Sequence, residues 1–161
     1  MTKLELIRDR AIHEDASISL DSSALIAYLA GEEPHSGVVT ELLKSGAQFV
    51  VSAITVSESL VRTVETYGGD FAEDILASLL ESGRIRLVPF ERRHVLEAAA
   101  IRSETRLKFP DAAIIATARV AGAIAIVGND RAWQPKALGI RYIHLDDVVR
   151  EQEREIQKET S

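Results

Sequence analysis

The sequence predicts an α/β domain in three layers, a parallel β-sheet flanked by helices. Three observations carry that reading. Short β-favouring runs recur at Ile18–Leu20, Phe49–Ser52, Ile85–Phe90, Ala123–Val127 and Arg141–Leu145. Helix-length stretches separate them, the alternation that builds parallel sheets. The second and fourth runs are nearly all apolar, as strands covered on both faces must be.

The elements follow in order. Residues 1–16 form an N-terminal extension, read as a charged helix or frayed arm. Ser22–Ala30 opens on serines and is apolar on most sides. His35–Lys44 follows Pro34 and stops at Ser45-Gly46, a helix end. Helices are predicted over 53–67, 70–82, 91–107 and 111–121, the last closed by Gly122. A charged helix begins near Asp146. The predicted domain spans 17–148, with 149–161 as a charged helix or tail.

Composition bounds what such a domain does. At 161 residues the chain is one domain's worth. With 46% hydrophobic and 27% charged residues, it has the make-up of an ordinary soluble globule rather than a disordered or fibrous chain. Cysteine is absent, which excludes disulfides, thiolate metal sites and a cysteine nucleophile and fits a reducing cytoplasm. Charge-free stretches such as Ala47–Ser57 and Val120–Asn129 fall short of the ~20 residues that cross a bilayer. The N-terminus lacks the apolar segment of a secretory signal. A cytoplasmic protein with no membrane partner is expected. The net charge of −6 argues against a nucleic-acid binder over the whole surface. Arginines nevertheless gather between Arg84 and Arg119, and a local field guides a polyanion better than net charge does.

Familiar nucleophile and nucleotide motifs are missing. No GxSxG, Walker A or GxGxxG pattern occurs. His13, His35, His94 and His144 are scattered without metal-ligand spacing. The informative residues are four acids. Asp21 follows the first strand-like run and precedes an apolar helix. Glu58 lies one turn into the helix after Phe49–Ser52. Asp111 follows Phe109-Pro110 and opens the apolar Ala112–Ala116. Asp130 follows the fourth run through Gly128-Asn129. Such positions share one edge of an open α/β sheet, where ligands bind. Four carboxylates gathered there repel one another unless a cation is bound, and oxygen donors suit Mg²⁺ or Mn²⁺. Each acid also has a structural reading: Asp21 as a helix N-cap, and Glu58 closing a capping box from Thr55. Asp111 complements a helix dipole, and Asn129-Asp130 makes a turn.

At these residues the sequence resembles a PIN-domain ribonuclease, most closely a VapC-type toxin of a toxin–antitoxin pair. The resemblance rests on Leu20-Asp21-Ser22-Ser23-Ala24-Leu25, Ser52-Ala53-Ile54-Thr55-Val56-Ser57-Glu58, Phe109-Pro110-Asp111-Ala112-Ala113-Ile114 and Ile126-Val127-Gly128-Asn129-Asp130-Arg131-Ala132-Trp133. Their order and spacing agree over roughly residues 17–148. The resemblance implies that Asp21, Glu58, Asp111 and Asp130 bind Mg²⁺ or Mn²⁺ and cleave RNA to 5′-phosphate and 3′-hydroxyl ends. It implies that Ser23 supports the first aspartate and Asn129 neighbours the last. It also implies an antitoxin partner and a homodimer, for which the apolar face of residues 25–43 is a candidate surface. Gly128 departs from the pattern, standing where the family often has Thr or Ser. Trp133, Tyr28 and Phe109 are expected to pack inside. Two other readings stay open: a receiver-type acidic pocket that accepts a phosphoryl group, and a non-catalytic domain that kept the fold.

Overall fold

A computed structural model describes residues 1–133 and 138–161. Five parallel strands lie in the order β3-β2-β1-β4-β5. They are β1 (Ser17–Leu20), β2 (Gln48–Ser52), β3 (Ile85–Val88), β4 (Ala125–Gly128) and β5 (Arg141–His144). The chain winds outward from β1 through β2 to β3, then crosses to the other side of β1 for β4 and β5. The winding direction therefore reverses at β1 and β4. Their carboxyl ends frame the crevice where α/β folds bind ligands.

Helices cover both faces of the sheet. On one face, α1 (Lys3–Glu14), α2 (Ser22–Ala30), α3 (His35–Lys44) and α8 (Leu145–Glu159) bury Leu4, Ile7, Leu25, Val39 and Val148 against Phe49, Val51, Val127 and Ile143. On the other, α6 (Arg92–Thr105) and α7 (Phe109–Val120) bury Ile101, Ile114 and Ile115 against Val50 and Ile126. Successive residues of β2 and β4 thus enter opposite cores, the period-two rule acting on strands that are apolar throughout. Two more helices, α4 (Ala53–Tyr67) and α5 (Gly69–Glu81), follow β2 and lead into β3.

Several sequence expectations shift, most by one or two residues at an element's end. Strand β3 stops at Val88, whose partner Ser52 is the last residue of β2 and already caps α4. Helix α6 stops at Thr105, where Arg106 turns left-handed at φ 62°. The candidate dimer face over 25–43 is largely spent on the core, since Leu25, Val38, Val39 and Leu42 are buried. Ile26 is exposed within that stretch, and α4 and α5 expose Val61, Val64, Tyr67 and Phe71. The residues before Ser17 form helix α1, capped by a reciprocal Thr2–Glu5 box. Its Lys3 reaches Glu151 of α8, while the amino terminus pairs with Glu155.

Candidate active site

Asp21 stands one residue beyond β1 and caps α2. Its backbone N–H donates to Val127 O at 3.0 Å, continuing the β1–β4 ladder past Leu20 and Val127. Its Oδ1 accepts from the Ala24 N–H at 2.9 Å and the Ser23 hydroxyl at 2.6 Å. The capping reading is therefore correct, and it serves to immobilise a carboxylate that is only 2% exposed. Ser23 Oγ also accepts from the Asn129 N–H at 2.7 Å, and Asn129 Oδ1 accepts from the Asp146 N–H at 3.1 Å. The two polar neighbours expected at Ser23 and Asn129 thus tie β1, β4 and α8 into one network.

The other acids arrive from three separate elements. Asp111 lies in the first turn of α7, behind Pro110, whose missing N–H leaves no bond unmade there. Residues Ala112–Ala118 are buried without a break, so core packing holds that turn in place. Glu58 projects from α4 and is exposed; its Oε1 accepts from the Ser22 hydroxyl at 2.8 Å. The capping-box reading of Glu58 fails: Ser52 caps α4, and Thr55 is buried a turn inside it. Asp130 follows β4, and its Oδ1 accepts from the Ala132 N–H at 2.9 Å, the local turn bond expected of it.

Electrostatics links the four in pairs: the charge of Asp130 acts on Asp21 and Asp111, and that of Glu58 on Asp111. Burial pushes the Asp21 carboxyl up to about 6, against the pull of Ser23, Ala24 and Tyr142, and the charge on Asp130 adds to the rise. Burial also raises Asp111, reinforced by the charges of Asp130 and Glu58. The indole N–H of Trp133 pulls Asp111 the other way from outside full hydrogen-bond geometry. The donors are all carboxylate oxygens, the chemistry that suits a hard divalent cation. Among the described residues, no three acids or histidines stand close enough to ligate one ion as the side chains now lie.

A profile of the PIN domain matches residues 18–137. The chain belongs to the PIN domain family. PIN-domain nucleases are ribonuclease hydrolases that generally use divalent metal ions. No curated protein matches the sequence significantly. Solved structures do resemble this PIN domain. DNA-bound VapBC from Salmonella typhimurium matches with TM-score 0.64 and 18% identity over 81% of this chain and 98% of that one. FitAcB from Neisseria gonorrhoeae matches with TM-score 0.56 and 25% identity over 80% and 97%. VapC20 of Mycobacterium tuberculosis, described as a sarcin-ricin loop cleaving toxin, matches with TM-score 0.56 and 20% identity over 70% and 89%.

Sequence reasoning missed two contributors to this PIN domain site. Ser22 steadies Glu58, a role visible only once α2 and α4 pack together. Tyr142 of β5 donates its hydroxyl to Asp21 Oδ2 at 2.8 Å. Among the aromatics, Trp133 packs inside at 1% exposure and Tyr28 is half-buried. Phe109 is 47% exposed, a correction that follows from its place at the tip of α7, where it meets Phe90 edge-on.

Proposed function

We propose that the chain is a Mg²⁺- or Mn²⁺-dependent endoribonuclease and the toxin of a toxin–antitoxin pair. What supports this is the place of Asp21 after β1 and Asp130 after β4, where the PIN sheet reverses its winding, with the charge of Asp130 felt by both Asp21 and Asp111 and that of Glu58 by Asp111. The likeness to VapC-type structures supports it, one of them described as cleaving the sarcin-ricin loop. The family match displaces the receiver-type reading.

In this proposal Asp21 and Asp111 are direct ligands, and Glu58 and Asp130 complete the shell. The ion, when bound, lowers the pKa of a water and stabilises charge on the leaving oxygen. The protein supplies the rest. Ser23 and the Ala24 N–H fix the Asp21 carboxylate, and Ser22 holds Glu58 at the rim, where it orients the attacking water. Lys108 is exposed beside Asp111 and offers a contact to an RNA phosphate. Two further arginines, one at the end of the Arg84–Arg119 stretch and one beyond it, are engaged within the protein. Arg119 pairs with Glu97 at 2.8 Å, and Arg131 reaches Asp146 at 3.4 Å and Asp147 at 3.5 Å. An antitoxin and a second copy are the proposed protein partners, and the apolar side chains exposed on α4 and α5 offer one surface to them.

The test uses the purified chain with RNA, with Mn²⁺ or with EDTA. Cleavage should require the cation, and Asp111→Asn should reduce it on the order of a hundredfold or more with an unchanged circular dichroism spectrum. Undiminished cutting by folded Asp111→Asn, or cutting in EDTA, would defeat the proposal. Cation binding without cleavage would favour the non-catalytic alternative.

A further inference from the structure

The row of residues opposite Asp21 has an opening in it. Register places Ser19, Ile126 and Tyr142 side by side across β1, β4 and β5, so their side chains share a face. Two residues further on, Asp21, Gly128 and His144 form the next row. At its centre Gly128 is buried and carries no side chain. A Cβ built there would stand 1.9 Å from Asp21 Oδ2 and 2.1 Å from its Cγ. The carboxylate of Asp21 thus occupies the space a side chain at 128 would fill.

Tyr142 reaches the same place from the other side. Its hydroxyl donates to Asp21 Oδ2 at 2.8 Å and accepts from the Asp130 N–H at 2.8 Å. The ring is held by Trp133, with centroids 5.3 Å apart, and by an edge contact with His144 at 6.3 Å. A phenol fixed at its ring and bonded at its hydroxyl has little freedom to wander. It joins one acid to the backbone of another, across two strands and 121 residues of sequence.

We propose that Tyr142 is a positioning residue of the cation site: across the opening at Gly128 its hydroxyl holds Asp21 Oδ2 and the Asp130 main chain in fixed relation. This rests on the reading of the four acids as a cation centre. Asp21 Oδ1 is fixed by Ser23 and Ala24, so Tyr142 decides where Oδ2 lies. A carboxylate oxygen accepts more than one bond, so Oδ2 keeps a lone pair for an ion while the phenol holds it.

The experiment measures Mn²⁺ alone, titrated calorimetrically into the metal-free full chain, beside amide hydrogen exchange. Tyr142→Phe keeps the ring and removes only the hydroxyl. It should weaken Mn²⁺ binding about tenfold, the scale of one hydrogen bond to a charged group, and speed exchange at the Asp130 amide. Gly128→Ala attacks the same contact with the phenol intact and should also weaken Mn²⁺ binding. Tyr142→Leu removes ring and hydroxyl together. If Tyr142→Phe binds Mn²⁺ as tightly as wild type, or more tightly, while Tyr142→Leu loses affinity, the residue is packing and the proposal is overturned. Unchanged Asp130 exchange in Tyr142→Phe, or wild-type affinity in Gly128→Ala, overturns it equally. A wild-type chain that binds no Mn²⁺ overturns the cation reading itself, and this proposal with it.

Discussion

At Asp21, burial and hydrogen bonding pull in opposite directions, and burial prevails, leaving the carboxyl near pH 6. An unfolded aspartate titrates near ~3.9, so the folded chain holds this proton more tightly than the unfolded one. The group's contribution to stability is therefore complete below about pH 4 and lost as pH rises through about 6. At pH 8 the ionised, cation-free group costs about 3 kcal/mol relative to its protonated form. Asp21→Asn keeps the cap and removes the charge. Urea unfolding in EDTA should find it more stable than wild type at pH 8 by about 1–3 kcal/mol, with the difference closing towards pH 4. A difference that does not vary with pH would contradict this assignment. The acids themselves were legible because each followed a strand-like run or opened an apolar helix. Tyr142 was not, because its role depends on β5 lying beside β4 and on the opening at Gly128, and neither pairing nor empty space is written locally.

At the scale of elements, helix boundaries followed caps and breakers that a sequence displays, such as Ser52, Pro110 and Gly122. What sequence did not display was the use made of α1. Its hydrophobic residues are interleaved with six charged ones, yet Leu4, Ile7 and Ala11 enter the same core as β1 and α2. Leu4→Ala and Ile7→Ala should each cost about 2–4 kcal/mol in denaturant midpoints converted at constant slope. Wild-type stability in both would mean that α1 does not hold its place in solution. Glu58 teaches the converse lesson. The Thr55–Glu58 spacing matched a capping box, but the helix begins three residues earlier, so tertiary position decided between two locally valid readings.

For the whole molecule, the fold class was legible from the alternation of strand and helix lengths, whereas the strand order was not. Nothing near Ala125 reveals that β4 crosses back over the sheet to pair with β1. On the proposed reading, that crossing makes cation binding a property of the complete fold. If the ion binds the native state alone, Mn²⁺ at a hundred times its Kd should raise unfolding free energy by about 2.7 kcal/mol. Calorimetric scans should show the rise in wild type and little of it in Asp111→Asn; equal rises would place the ion elsewhere. The same crossing bears on how the protein is made. A ribosome delivers Asp21 before Asp111, Asp130 and the Tyr142 strand. A chain released before β4 and β5 are made therefore carries Asp21, Glu58 and Asp111 without the strands that complete the sheet around them. If the intact chain arrests growth, as the toxin proposal requires, fragments ending at Val120 should not, and growth arrest on their expression would contradict this dependence on the complete sheet.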